Sequence, residues 1–409
     1  VSTEISTTAQ HADQGTGDAA QTGSSRARRD RKTDIEARAG GSTAPVRARR
    51  ARATLLIGGL AAALVLVTVV SAGRGQLEIS PGEVTGSVMH RLDSGLEWLL
   101  TRVGITVDLP LDIGSLPSHA QGENTLWLVR FPRVVLAILV GAALATAGAL
   151  MQGIFGNPLA EPALIGVSPG AAVGASLVFV TGASFLGEWT APAAAFTTGL
   201  FATLLVYALS RSGGRTEVVT LMLTGVAVTA VAFALVAFNT FVANPEAREQ
   251  IVFWQLGSLN GARWPAVNAV LPFVCVGLVV AVVLARSLDL LSLGDKAARH
   301  LGVNVERLRI VAIVVVAMLV GSGVAFAGVI GFVGLVVPHL MRMVAGPGHR
   351  VLLPASALGG AVLLVGADLV ARTAIQYADL PLGMLTALVG GPFFFWLLRR
   401  TRSRAGGWA

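Results

Sequence analysis

Residues 130–175, RFPRVVLAILVGAALATAGALMQGIFGNPLAEPALIGVSPGAAVGA, decide how the chain is read. Two arginines, Arg130 and Arg133, flank Phe131-Pro132 at the start. Val134 to Met151 then carries no charge. An uncharged apolar run of about 18 residues or more is a membrane-spanning candidate, because a helix satisfies its own backbone polar groups in lipid. The run breaks at Gly156-Asn157-Pro158 and resumes with small residues. Gly166, Gly170 and Gly174 recur at every fourth position, which predicts one helix face where another backbone can approach closely. One hairpin thus combines a charged membrane edge, a span, a proline-broken turn and a small-residue span.

The rest of the chain has the same character. Of 409 residues, 54% are hydrophobic and 13% charged, with a mean hydropathy of +0.70; soluble domains carry about 25% charged residues. The chain therefore reads as an all-α polytopic membrane protein in contact with the lipid bilayer. Cys275 is the sole cysteine, which excludes an internal disulfide and a cysteine-based metal site.

Residues 1–53 are polar and arginine-rich, with too little apolar surface to fold alone. A disordered basic tail is expected there. Arginines just before a first span mark the cytoplasmic side and meet anionic headgroups, so no nucleic-acid partner is expected. The length of this tail, and the lack of an A-x-A site after the apolar run, argue against a cleaved signal peptide.

Ten spans are expected, near 54–73, 132–152, 163–182, 190–210, 217–242, 264–286, 307–328, 331–345, 351–372 and 382–400. With the tail inside, the connections after even-numbered spans carry Arg211, Arg215, Lys296, Arg299, Arg307, Arg309, Arg342, Arg350 and Arg399 onward. That bias predicts both termini in the cytoplasm, with a permease domain at 54–400 and a short C-terminal tail at 401–409. The long outer segment, 74–130, is acidic on balance. Its Ser80-Pro81-Gly82-Glu83 start and the spacing of Val84, Val88, Leu92, Leu96 and Leu99 predict a short amphipathic external helix.

Catalytic motifs are scarce. No GxxxxGK[ST] occurs, so the chain does not bind ATP in that manner. No HExxH occurs either, and neither catalytic residues nor a metal site is expected. His339 and Asp368 fall inside spans. An intramembrane ionisable group is a functional candidate, although each also suits a bond across packed helices. The segment 287–309, SLDLLSLGDKAARHLGVNVERLR, is polar enough to leave the membrane. It predicts a helix, a turn at Gly302 and a second helix start. Ala297, Ala298, Leu301 and Val303 would give it a small apolar surface suited to a partner's groove.

Several stretches together resemble the FecCD-type permeases of bacterial ABC importers for iron chelates, haem and vitamin B12. They are RFPR (130–133), VGAALATAGALMQGIFGNPLAEPALIGVSPGAAVGA (140–175), FWQLGSLNGARW (253–264), ARHLGVNVERLR (298–309), GFVGLVVPHLMRMVAGPGHRVLLPASALGGA (331–361), ADLVART (367–373) and LPLGMLTALVGGPFFFWLL (380–398). They run in the family's order over roughly residues 54–400.

The resemblance implies ten spans per subunit, a type II importer fold and a homodimer around a central path. It also implies two ATPase subunits on the cytoplasmic face, which bind ATP and Mg, and a substrate-binding protein or lipoprotein outside. Arg130, Arg133 and Arg372 correspond to positions that dock the binding protein, a task suited to the planar, permanently charged guanidinium. Asn157 and Leu159 correspond to the cytoplasmic gate. Residues 287–309 correspond to the coupling segment, with Ala297, Gly302 and Val303 as contacts. Asp379 departs from the family's usual glutamate in ELPxG.

The resemblance to haem permeases favours haem as cargo, ahead of a ferric siderophore or a corrinoid. No cofactor is expected to stay bound to this chain. An ion-coupled secondary transporter using Asp368 and His339 is the rival of another class, and an intramembrane enzyme with Asp368 as acid a third.

Overall fold

The computed structural model describes residues 44–102, 114–212 and 215–404. The expected tail thus falls mostly outside the described residues, as do 103–113 of the outer segment and 405–409 at the C-terminus. The chain divides into two compact units, Val1–Arg52 and Ala53–Ala409, and the second holds the packed helices.

The helices are α1 (Ala44–Gly73), α2 (Pro81–Arg102), α3 (Phe131–Phe155), α4 (Val167–Thr181), α5 (Thr190–Leu209), α6 (Val218–Val242), α7 (Pro245–Leu256), α8 (Trp264–Leu291), α9 (Asp295–His300), α10 (Val305–Ala327), α11 (Val333–Ala345), α12 (His349–Thr373) and α13 (Leu382–Arg404). Among the described residues, seven helical stretches are long and apolar enough to cross a membrane, and α4, α11 and the Leu382–Trp396 part of α13 are three shorter apolar helices. The ten expected spans are therefore all helical.

The quoted hairpin is the centre of the molecule. The most apolar window of the stretch ending in α3 is 89% buried, because its glycines and alanines let neighbouring backbones reach it. A Cβ on Gly141 would strike the Gly360 carbonyl of α12, and one on Gly148 would strike the Gly334 carbonyl of α11. Contacts of this kind drive helix association where lipid removes the hydrophobic contrast. Leu150 and Met151 of α3 are fully buried, together with Leu288, Leu319 and Leu353 from α8, α10 and α12.

The second half of the hairpin differs from its reading as one helix from residue 163. Pro162–Ile165 forms a 3-10 turn, and Gly166 adopts a left-handed φ of 77° before α4 begins. Gly166 therefore caps α4. Gly170 and Gly174 do share a packed face, and their partner is α5 of the same chain: a Cβ at either would strike Ala202, Thr198 or Ala194.

The helix expected within the 74–130 segment is present as α2. Ser80 and Glu83 form a reciprocal capping box, with the Ser80 N–H donating to Glu83 Oε2 (2.8 Å) and the Glu83 N–H to Ser80 Oγ (3.3 Å). Val84 packs with Ala72, Ile79, Leu126 and Phe131 in a small satellite core. Trp264 Nε1 donates to the Trp127 carbonyl (2.7 Å), tying this segment to the start of α8. Two features are additional to the sequence reading: α7, capped by Asn244 at the Ala247 N–H (2.8 Å), and a small hairpin pairing Arg211–Ser212 with Arg215–Thr216.

Candidate functional site

α3 and α12 pack side by side in opposite directions, so Arg133 lies close to Asp368 at one end of both. His349 and Phe155 mark the other end, about 37 Å away for a 25-residue helix. The two ends carry different chemistry.

At the first end, the three predicted arginines come together, each with a partner in its own chain. Arg130 is buried and donates to the carbonyls of Ala72 (2.6 Å), Gly73 (3.0 Å) and Leu77. It thereby satisfies the end of α1, whose last carbonyls have no helical partner. Arg372 does the same from α12, donating to the carbonyls of Arg74 (2.6 Å) and Ser71 and to Ser71 Oγ (2.7 Å). Arg133 bridges two acids, Asp368 through Nε (2.9 Å) and Asp379 through Nη1 (2.8 Å). Asp368 is fully buried and also lies 3.5 Å from Arg372 Nε. Asp379, the residue that departs from the family pattern, thus has a defined ion-pair partner.

A cavity of about 1160 Å³ opens at this end, lined by Arg74, Gln76, Glu78, Asn260, Tyr377 and Asp379 beside the three arginines. Four guanidinium groups and two carboxylates, Glu78 and Asp379, line it; with the buried Asp368 behind Arg133 counted, one positive charge is in excess. In α2, Glu83 accepts the Ser118 N–H (2.7 Å) as well as the Ser80 N–H. These bonds, Ser118 first, hold its carboxyl down at about 2.

At the second end, Gly156 closes α3 in the left-handed region, with φ 60°. The Asn157 side chain accepts the Leu159 N–H (2.9 Å), and its backbone carbonyl accepts the Ala160 N–H (3.1 Å). This Asx turn, fixed further by Pro158, leaves Asn157 and Leu159 half-buried. The predicted coupling segment is helix, turn and helix start: α8 runs on to Leu291, α9 follows, Gly302 turns with φ 86°, and Asn304 caps α10 at the Arg307 N–H (3.0 Å). Ala298 is buried, Ala297 and Val303 are half-buried and Gly302 is exposed. The large apolar side chains presented outward are Leu293 and Leu301. Arg309 holds α9 to α10 through Asp295 (2.9 Å).

Three polar connections at this end escaped the sequence reading. His349 is buried and bonded through both its backbone N–H (2.7 Å) and Nδ1 (2.8 Å) to Asp289 of α8. Glu306 accepts from Thr216 Oγ1 (2.5 Å), the Thr216 N–H (3.0 Å) and Tyr207 Oη (3.3 Å). Glu161 accepts the Phe332 N–H (3.1 Å). Their partners lie 60 or more residues away, so no local pattern announces them.

His339 and Asp368 are on different helices and share no hydrogen bond; His339 Nδ1 has no hydrogen-bond partner among the described residues. Among those residues, no three His, Cys, Asp or Glu side chains gather to hold a metal ion. Gly166-Val167-Ser168-Pro169-Gly170 matches the letters GxSxG. It follows a 3-10 turn rather than the strand a nucleophile elbow needs.

The model of the FecCD transport family matches residues 63–400. The chain belongs to the FecCD transport family. It is 42% identical over 286 residues to the hemin transport system permease protein HmuU of Yersinia pestis, covering 69% of this chain and 85% of that one. It is 41% identical over 345 residues to the cobalamin import system permease protein BtuC of Halobacterium salinarum, covering 84% and 91%. A solved metal-chelate type ABC transporter in an inward-facing conformation superimposes with a TM-score of 0.70 at 31% identity, over 84% of this chain and 98% of that one. This FecCD protein is thus a multi-pass membrane permease of the ABC importer class, and its helical fold is that of such a permease.

Proposed function

We propose that this FecCD permease carries haem across the bacterial cytoplasmic membrane as a homodimer. Two ATPase subunits bind its cytoplasmic face, supplying ATP and Mg chemistry from outside this chain, and a substrate-binding protein delivers cargo to the outer face. Both termini are cytoplasmic in this reading, which rests on the arginine bias of the connections. The carrying observation is the pairing of a positively charged cavity at one end with an Asx-turn constriction and an apolar-tipped coupling segment at the other.

Arg130, Arg133 and Arg372 act in docking by shaping and charging the outer rim rather than as free side chains. Arg130 and Arg372 donate mainly to neutral carbonyls, which leaves positive potential to steer an acidic partner. Asn157 and Leu159 form the gate. Ala297, Gly302 and Val303 shape the coupling segment, whose contacts are made by Leu293 and Leu301. Transport is an exchange between two packed arrangements, biased by the partner and by nucleotide.

Haem is favoured by the 42% identity to the hemin permease. A corrinoid is the second reading, because the cobalamin permease is 41% identical over a longer stretch. Both cargoes are metal-centred macrocycles, and a ferric siderophore ranks third. An ion-coupled relay is disfavoured because Asp368 is already ion-paired with Arg133. The test is uptake into liposomes holding the permease with its ATPase and loaded binding protein. ATP-dependent accumulation of haem, with little of cobalamin or ferric siderophore, is expected. Preferential cobalamin uptake would replace the cargo, and uptake driven by a proton gradient without ATPase would overturn the whole reading.

A further inference from the structure

Glu161 lies two residues beyond Leu159, yet its side chain does not serve the turn. Its Oε1 reaches the start of α11, 171 residues on, and accepts the Phe332 N–H at 3.1 Å. Phe332 sits in the left-handed region with φ 65°, one of two non-glycine residues to do so among those described. Such a conformation is strained for a residue with a Cβ and persists only where the surroundings impose it. Two contacts hold Phe332 itself: Glu161 takes its N–H, and Gly390 of α13 leaves room that any Cβ would deny to it, while nearby Gly334 packs against Pro162 and the Leu144 carbonyl. Phe332 is also the cap of α11, and its carbonyl accepts the Leu335 and Val336 N–H groups. A carboxylate at a helix N-terminus meets unpaired N–H groups and the positive end of the helix dipole.

We infer that Glu161 is the positioning residue of the gate: by capping α11 at Phe332 it makes the Asn157–Leu159 turn, α11 and α13 one mechanical unit. The inference rests on the gate role proposed for Asn157 and Leu159. The cap opposes inward displacement of the turn while α11 and α13 hold their places, so the turn opens only when these helices shift with it. Loss of the cap frees the turn to open alone, and ATP hydrolysis then no longer commits the cargo.

The experiment uses the full transporter in liposomes with Cys275→Ala and Leu159→Cys, a membrane-impermeant maleimide on the side of the turn, and parallel measurement of uptake and ATP hydrolysis. Glu161→Ala, and Glu161→Asp, whose acid is too short to reach Phe332, are expected to raise nucleotide-free labelling of residue 159 by about fivefold, the factor a typical lost helix cap represents. The ratio of cargo moved to ATP hydrolysed falls. Glu161→Gln retains the acceptor oxygen and restores both values. Native labelling and coupling in the alanine and aspartate variants would overturn the inference, as would a glutamine variant as defective as alanine. If alanine prevents assembly, the aspartate–glutamine comparison decides. Failure of the gate role itself is separate: residue 159 of the otherwise native chain would then label at the same rate with and without nucleotide.

Discussion

At the scale of single residues, the arginine end shows how much one guanidinium organises. Arg133 joins α3 to α12 and to the connection before α13 by bridging Asp368 and Asp379. Arg133→Ala leaves the fully buried Asp368 with only the longer Arg372 contact. Removing one member of a buried pair costs about 3–5 kcal/mol, so a marked fall in the thermal midpoint in detergent is expected. Arg133→Lys should recover only part, because a lysine ammonium lacks the planar fork that meets both acids; a native midpoint for the lysine variant would refute the bridging role. Glu83, on a helix that is not a candidate span, gives a pH signature. Its carboxyl is held at about 2 against an ordinary 4.5. A depressed native value means its contribution is complete above the ordinary range and lost as the pH falls towards 2. Protection factors for hydrogen exchange in peptides spanning Ser80 and Ser118, taken against the intrinsic rate at each pH, should fall over that window, and Glu83→Gln should flatten the dependence. The three arginines were grouped by the family resemblance that RFPR and ADLVART carry. Their acceptors were not legible, since backbone carbonyls leave no mark in a sequence.

At the scale of elements, close approach between helices depends on individual glycines. Gly170 faces Ala202 and the Thr198 carbonyl of α5. Gly170→Leu must push α4 from α5, at about 1–3 kcal/mol or more for an overpacked site. Because the partner helix belongs to the same chain, the loss should appear in the thermal midpoint and monodisperse yield of the isolated protomer. Adding Ala202→Gly removes the obstructing methyl and should recover part of it. Unchanged yield for Gly170→Leu would make the tight packing incidental. The four-residue glycine spacing includes Gly170 and Gly174, which both face α5. It misplaced Gly166, because a 3-10 turn after Pro162 restarts the helix and uses that glycine as a left-handed cap. The short helix α7 was missed although Asn244-Pro245-Glu246 is a readable helix start; the apolar residues around it masked the signal.

For the whole molecule, the proposed coupling passes through the exposed tip of 287–309. Leu301 is 57% exposed, whereas neighbouring Ala298 is fully buried. Leu301→Asp should therefore cut co-purification with the ATPase by about tenfold or more, as loss of an interface anchor does, without lowering the thermal midpoint. Ala298→Asp should instead lower the midpoint, because it buries an unpaired charge. Equal ATPase capture by Leu301→Asp and the native chain would remove this surface from the coupling reading. The sequence alone determined that the chain crosses a membrane as about ten helices. It also determined that the central hairpin breaks at Asn157-Pro158 and that Gly302 ends a short helix. Hydropathy, small-residue spacing and helix breaks are local properties, so they survive without knowledge of the neighbours. Only the tertiary structure decided which charges meet. Arg133 and Asp368 are 235 residues apart and Glu161 and Phe332 171 apart. Such meetings depend on the order and register in which helices pack, and that is set where Gly141 meets Gly360 and Gly148 meets Gly334.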